Sequence, residues 1–138
     1  MEEVAAQAEI DKLVTGFFSV FDNRNGLAPD LADLLGYFAE KAVIALSSGQ
    51  DIQLYTAVEF ALPRIELLSG GALVNFHEAE TSSTTNIFGA IAVRTSRYRK
   101  AGVLNGSPYT GTGTKIFQVV ALGSGWRIAS LAWADDEA

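Results

Sequence analysis

The sequence predicts an α+β protein in which helices come first and a run of long β-strands follows. Apolar residues recur at helical spacing from Ile10 to Phe21, which indicates an amphipathic helix. From Ala72 onward the pattern changes to extended segments, and two of the joints between them, Asn105-Gly106 and Gly123-Ser124-Gly125, are typical of hairpins. This order favours helices gathered on one face of an antiparallel sheet.

The length and composition favour a single domain spanning residues 1–138. With 138 residues, 49% of them apolar, the chain can fill one core and is too short for two ordinary domains. Charged residues make up only 19% and there are three prolines, so we expect ordered structure nearly from end to end.

Three helices are predicted. The first ends in the turn-forming residues 22–26, where Asn and Gly favour left-handed backbone conformations. The second is short and covers residues 31–38. The third begins at Thr56, whose hydroxyl can form a capping box with Glu59, and we expect Pro63 to kink or divide it.

The strands are predicted from alternating and turn-bounded segments. A first hairpin combines a strand over residues 42–47 with a short strand through Ile52 and Leu54. Four long strands follow the third helix, over residues 73–84, 87–103, 109–122 and 126–134. No internal repeat accompanies them.

Several segments together resemble the nuclear transport factor 2-like superfamily, and within it the SnoaL-like small domains. The similarity covers nearly the whole chain, and its most specific part is the final glycine-tryptophan strand. The segments that carry it are the opening helix ending in an Asp, Leu34–Val43, Gly89–Val93 with Ser96-Arg97-Tyr98, Gly111–Val120, and Gly125–Ser130 with Trp133.

The resemblance implies a cone-shaped, cystatin-like fold. Three N-terminal helices would pack on a strongly curved mixed or antiparallel β-sheet, with a pocket between the concave face and the helices. The resemblance also implies a homodimer through the outer face of the sheet. It implies no single activity, because this fold serves isomerases, dehydratases, cyclases and proteins that only bind or assemble.

Charge and composition argue against several classes of partner. Sixteen acidic against ten basic residues give a formal net charge of −6, which repels nucleic acid and anionic membranes. With no cysteine and one histidine, neither a metal site nor another cofactor is expected. The acidic start and the lack of an apolar run of about 18 residues predict no membrane span and a cytoplasmic location.

His77 is the first candidate for chemistry. Its imidazole titrates near neutrality and can abstract or deliver a proton inside a pocket, although a histidine hydrogen-bonded within the fold is the alternative. Strand alternation places Phe76, Glu78 and Glu80 on the face opposite His77. We expect the two carboxylates to point outward into solvent.

Arg94 and Tyr98 share a strand face with small Ala92, which predicts that this face meets the helices. A buried guanidinium must be paired. Its partner is either an anionic or carbonyl-bearing ligand or an internal carboxylate such as Asp135, and we favour the internal partner.

Further candidates for ligand binding are polar side chains expected between the second helix and the sheet. Tyrosine hydroxyls can hydrogen-bond a ligand oxygen, although tyrosines that only fill space are the alternative. Gln118 is added as another polar contact. The predicted lining therefore comprises Tyr37, His77, Arg94, Tyr98 and Gln118.

Trp126 and Trp133 have opposite parity on the last strand, so one is expected in the core and the other outside. An outward tryptophan would extend an apolar outer face, and monomers seldom expose large apolar patches. This favours a homodimer. The predicted interface residues are Phe117, Val119, Leu131 and Trp133.

The sequence leaves three functions open. The leading one is a small-molecule-binding protein with an enclosed, largely apolar pocket for a small hydrophobic ligand. The first alternative is a cofactor-independent isomerase, dehydratase or cyclase with His77 as the acid–base group. The second is a non-catalytic, dimeric association module.

Overall fold

A computed structural model describes residues 2–137, so Met1 and Ala138, the ends of the predicted domain, lie outside the described residues. Three helices precede or interrupt the strands as predicted. The elements are α1 (Glu2–Ser19), α2 (Leu31–Leu35), β1 (Phe38–Ser48), β2 (Asp51–Thr56), α3 (Ala57–Ser69), β3 (Leu73–Phe88), β4 (Ile91–Leu104), β5 (Ser107–Leu122) and β6 (Gly125–Asp135).

The helices follow their local signals, with two corrections. The capping box of α3 is present: Thr56 Oγ1 accepts from the Glu59 amide at 3.2 Å and Glu59 Oε1 accepts from the Thr56 amide at 2.9 Å. Helix α3 is not divided but continues through Pro63. Helix α2 is shorter than predicted, because Phe38 already begins β1. Among residues 2–137, none of the helices is both long enough and apolar enough to cross a membrane.

The six strands form one mixed sheet in the order β2-β1-β6-β5-β4-β3. The β1–β6 pair is parallel and the other pairs are antiparallel. Strands β2 and β3 are the two edges of this sheet, yet α3 contacts both of them. Side chains of β1, β3, β4, β5 and β6 also line one cavity beneath α3, so the sheet curves around it and has a concave inner face.

A β-bulge places both tryptophans on that inner face, contrary to the sequence prediction. The pairing of β6 with β5 shifts between Ser130 and Ile128, so one extra residue in β6 reverses the alternation. Trp126 and Trp133 are each only 8% exposed. The predicted outer interface is wrong for the same reason, since its four residues are all buried: Phe117, Val119, Leu131 and Trp133.

The core is built around α1. The Phe17 ring makes edge-on contacts with five other rings, at centroid distances of 5.3–6.1 Å. Such contacts add to the free energy gained by burying aromatic area. The broad phenylalanine stripe of the first helix thus finds its apolar partner in the concave face of the sheet.

Candidate functional site

A cavity of about 320 Å³ lies between α3, the end of α1 and the inner face of the sheet. Its walls are mostly apolar and aromatic, but five acidic or basic side chains converge on it from five elements. These are Arg64 of α3, Glu78 of β3, Lys100 of β4, Lys115 of β5 and Asp135 of β6, a set we call the cavity charges. Ligand sites in proteins typically combine apolar walls with a few polar groups in this way.

Lys115 is the most buried of the cavity charges, with a side chain only 7% exposed. Its Nζ lies 3.7 Å from Glu78 Oε2, longer than a hydrogen bond. It also lies 4.2 Å from the Tyr98 ring centroid and 4.8 Å from that of Trp133. Burial in these surroundings lowers the pKa of Lys115, because desolvation penalises the ammonium form.

Asp135 accepts hydrogen bonds from two side chains at the cavity, those of Tyr98 and Lys100. The buried Tyr98 hydroxyl donates to Asp135 Oδ1, and Lys100 Nζ lies 3.1 Å from Asp135 Oδ2. These contacts outweigh desolvation and lower the pKa of Asp135, while burial and the Asp135 charge raise the pKa of Tyr98. The Tyr98 phenol is therefore fixed as a neutral donor.

Gly113 makes room for this contact. A Cβ atom at Gly113 would lie only 2.5 Å from the Ala134 carbonyl oxygen and would also collide with the Tyr98 ring and hydroxyl. The pattern of Gly111–Val120 alone does not reveal this role, because the close neighbours belong to other strands. Gly113 permits Tyr98 to pack across β5 and reach Asp135 on β6.

Arg64 differs from the other cavity charges because, within residues 3–137, no carboxylate oxygen lies within 4 Å of its guanidinium. The guanidinium stacks on the Phe60 ring at 4.3 Å, and Nη1 donates to the Phe60 carbonyl at 2.9 Å. Burial lowers the pKa of Arg64, which still leaves it cationic. Among the described residues, the Phe60 carbonyl is the one hydrogen-bond acceptor of this guanidinium, and Arg64 lines the cavity.

Arg94 is buried on the inner face as the alternation predicted, but its partners were not predicted. Nε and Nη2 donate to Glu80 at 3.0 and 2.6 Å, and Nη1 donates to Asp11 of α1. Despite the desolvation of burial, the hydrogen bonds with these two carboxylates raise the pKa of Arg94. The partner is thus an internal carboxylate, although Asp135 was the wrong example, and Arg94 does not line the cavity.

The other predicted site residues also lie outside the cavity lining. His77 lies on the opposite face of β3 from Glu78, and its Nδ1 is buried without a hydrogen-bond partner among the described residues. Tyr37 packs on Phe17 at a centroid distance of 6.1 Å. Gln118 is exposed and accepts a hydrogen bond from Ser130 at 2.8 Å. Tyr98 does not line the cavity itself but contacts two residues that do, Lys115 and Asp135.

The two β3 carboxylates point inward, contrary to the expectation that they face solvent. Glu78 and Glu80 share a strand face with Phe76, as predicted, but this face is the inner one and not the outer one. Their cationic partners, Arg94 and Lys115, lie on the inner faces of β4 and β5. One signal for the missed site was present in the sequence. Lys115 shares its strand parity with the apolar residues Phe117 and Val119, so a lysine on an apolar face was predictable, although that face was expected to be the outer one.

A wider depression of about 720 Å³ lies between β1, β2 and the start of α3. Its charged members are Glu40, Lys41 and Glu59, of which Glu40 and Lys41 are exposed and Glu59 belongs to the capping box. The smaller cavity is the better candidate site, because only there are buried charges held against aromatic walls.

The chain matches no protein-family model and none of the curated proteins with which it was compared. Solved structures do match it over nearly its full length. They include a nuclear transport factor 2-like superfamily protein from Salmonella enterica serovar Typhimurium, with 13% identity, 99% of this chain and 94% of that chain covered, and a TM-score of 0.79.

Two further matches carry functional descriptions of their own. A proposed dehydratase of the NTF2-like family from Streptomyces avermitilis has 12% identity, 100% coverage of both chains and a TM-score of 0.75. A proposed Ca/calmodulin-dependent kinase II association domain from Exiguobacterium sibiricum has 9% identity, 96% and 94% coverage and a TM-score of 0.73. At these identities the similarity establishes the fold alone.

Helices packed on a curved mixed sheet define this chain as an α+β protein with a cavity on the concave side. Within that class it adopts the nuclear transport factor 2-like fold, as the sequence analysis predicted.

Proposed function

We propose that the protein binds a small, largely aromatic or apolar molecule bearing a carboxylate, in the cavity beneath α3. The observation that carries this proposal is the charge of the cavity. Three cationic side chains face two carboxylates, and the Arg64 guanidinium has no carboxylate partner within 4 Å among the described residues. A desolvated guanidinium gains most from a planar anionic group.

The aromatic walls support the rest of the ligand. Phe60, Trp133 and Tyr109 line the same cavity as Arg64, so a flat apolar body can pack on rings while its carboxylate meets the guanidinium. The acid–base alternative through His77 lacks this support, because His77 does not line the cavity.

The test is a binding series of benzoate and naphthoate with the matching amides and alcohols, measured by thermal shift and calorimetry. We expect saturable stabilisation by the carboxylates only. Arg64→Met should weaken carboxylate binding by about 10- to 100-fold, the loss expected for a charge-assisted hydrogen bond. Because Arg64 has no carboxylate to orphan, the variant should remain folded.

Arg99→Met is the matched control, since Arg99 is exposed on the same sheet and lies outside the cavity. It should leave carboxylate affinity unchanged. Equal binding of amides and carboxylates, or equal losses in the two arginine variants, would reject the carboxylate assignment. Absence of binding by all three ligand series would reject the cavity as a site for such molecules.

We also propose self-association through the outer face of the sheet, with residues other than those first predicted. Val43, Ile52, Leu54 and Ile116 are 49%, 62%, 68% and 44% exposed. The β1–β2 register places Leu54 opposite Ala45 and Ile52 opposite Ser47, so these side chains share one surface. Monomers seldom leave such a patch uncovered, and a second copy of the chain is the partner we propose.

Sedimentation over a concentration series tests this proposal. Ile52→Asp should raise the dimer dissociation constant by about tenfold or more, because it removes an apolar side chain that the proposed dimer would bury and adds a charge there. Leu27→Asp is the control, as Leu27 is 70% exposed in the loop before α2. A wild-type mass that stays monomeric at every concentration contradicts the proposal.

A further inference from the structure

Lys115 has the surroundings typical of reactive lysines, because its amine is buried and lies at the wall of a cavity. Its amine is at the end of a side chain that is 7% exposed, lines the cavity and contacts the faces of Tyr98 and Trp133. Among residues 3–137, the one carboxylate within 4 Å of Lys115 Nζ is that of Glu78, at 3.7 Å, which is too far for a hydrogen bond. A desolvated lysine of this kind carries more neutral, nucleophilic amine at a given pH than an exposed lysine does.

Lys100 lines the same cavity and provides the contrast. Its Nζ donates to Asp135 Oδ2 at 3.1 Å and lies 5.1 Å from the Tyr109 ring centroid. Although burial opposes it, the Tyr109 and Asp135 contacts raise the pKa of Lys100, which holds it as an ammonium ion. The surroundings of these two lysines thus shift their pKa values in opposite directions.

We propose that Lys115 forms an imine with an aldehyde or ketone group of the ligand, with Glu78 moving the protons. The inference rests on the proposed function, which places an aromatic carboxylate in the same cavity. The inference adds a carbonyl group to that ligand. The substrate class is therefore an aromatic oxo acid.

The step balances without an additional reactant. Glu78 takes a proton from the Lys115 ammonium, and the freed lone pair bonds to the carbonyl carbon while the C=O π pair moves to oxygen. That oxygen takes a second proton from the added nitrogen to give the carbinolamine. Glu78 then returns its proton to the hydroxyl, which leaves as water as the nitrogen pair forms the C=N bond. The product is a protonated imine, with Glu78 again a carboxylate.

Lys115 is well placed for this reaction compared with the other lysines. The chain has four: Lys12, Lys41, Lys100 and Lys115. Lys12 and Lys41 are exposed and lie outside the cavity. Each unit of difference in pKa changes the amine fraction by about tenfold below both pKa values, so selectivity among the four lysines reports directly on the environment of Lys115.

The experiment is reductive trapping at neutral pH. Wild-type protein is incubated with 4-carboxybenzaldehyde and sodium cyanoborohydride, and the modified lysines are located and quantified by peptide mass spectrometry. We expect initial modification of Lys115 to be at least about tenfold faster than that of any other lysine, because binding in the cavity holds the aldehyde beside its amine. Excess 4-carboxybenzyl alcohol, which fills the cavity but cannot form an imine, should slow Lys115 and leave Lys12 and Lys41 unchanged.

Variants distinguish proton transfer by Glu78 from the position of the Lys115 amine in the cavity. Lys115→Arg keeps the charge but cannot form an imine and should abolish the fast site, whereas Lys100→Arg should retain it. Glu78→Gln should slow trapping at Lys115 without preventing binding of the alcohol. The wild-type comparison among four lysines needs no variant, so a folding defect in any of these proteins does not decide the result.

Three outcomes would overturn the inference: equal rates at all four lysines, preference for Lys100, or no trapping by an aldehyde that binds saturably. In the last case the carboxylate proposal stands while imine formation is rejected. If neither the carboxylates nor the aldehyde stabilise the protein, the proposed function fails and the imine fails with it.

Discussion

Replacing Arg94 with methionine should lower the free energy of unfolding by about 3–5 kcal/mol, the cost of breaking a buried ion pair. Arg94 is 4% exposed and donates two hydrogen bonds to Glu80, whose side chain is 16% exposed. It also donates to Asp11 and, at 3.2 Å, to Thr85. Methionine fills similar space but leaves the Glu80 carboxylate desolvated without its cation. Urea denaturation measures the loss.

Arg97→Met is the control from the same strand. Arg97 pairs with Asp136, but both side chains are 44% exposed, so water replaces the lost partner and the change should be much smaller. Adding Glu80→Gln to Arg94→Met should recover part of the loss, because the orphaned charge is removed. Equal effects of the two arginine substitutions would contradict the assignment of Arg94 as the buried structural cation.

Acidification should reveal the same network. The Arg94 contact helps to lower the pKa of Asp11, so this carboxyl contributes stability above its ordinary pKa that is lost as the pH falls through its lowered folded pKa. This acid-dependent contribution of Asp11 should be smaller in Arg94→Met, where only the Gln7 hydrogen bond still lowers the pKa of Asp11. The Asp11–Arg94 ion pair between α1 and β4 therefore makes a pH-dependent contribution to stability.

Local patterns predicted the elements well because their causes are local. The capping box at Thr56 and the Asn105-Gly106 hairpin depend on residues a few positions apart, and both are present. The tryptophan faces could not be predicted, because one bulged residue in β6 reverses the parity of everything before it. Bulges depend on pairing with another strand, which alternation along one segment does not report.

The candidate site was harder to predict for a related reason. Arg94 was correctly placed inside from its strand neighbours, but its partners Glu80 and Asp11 come from another strand and from a helix 83 positions away. The cavity charges likewise come from α3 and four different strands. These residues come together only in the folded sheet. The sequence prediction relied on the chemistry of individual residue types and therefore selected His77 instead of Lys115.

Replacing Asn23 with alanine should be the other large effect, again about 3–5 kcal/mol, since several buried groups would lose their partners at once. Asn23 Nδ2 donates to the carbonyls of Leu68 and Leu73 at 3.0 and 2.8 Å. Its Oδ1 accepts from the Phe76 amide at 2.8 Å. One side chain therefore joins the end of α1, the end of α3 and the start of β3.

Asn25→Ala is the matched control, because Asn25 is exposed two positions further along the same loop. It should change stability little, whereas Asn23→Ala should also speed hydrogen exchange at the Phe76 amide well beyond the change in its neighbours. Unchanged exchange at that amide would show that the Asn23 contacts do not hold β3.

The Asn23 junction also borders the candidate site, since Leu68, Leu73 and Phe76 all line the cavity. Its loss should let the end of α3 separate from β3 before the sheet unfolds, because loosely held segments open first. Ligand affinity should then fall further in Asn23→Ala than in Arg94→Met, although both lose similar stability. That ordering would separate support of the cavity wall from stability in general, and the reverse ordering would place the critical support at the Arg94 network.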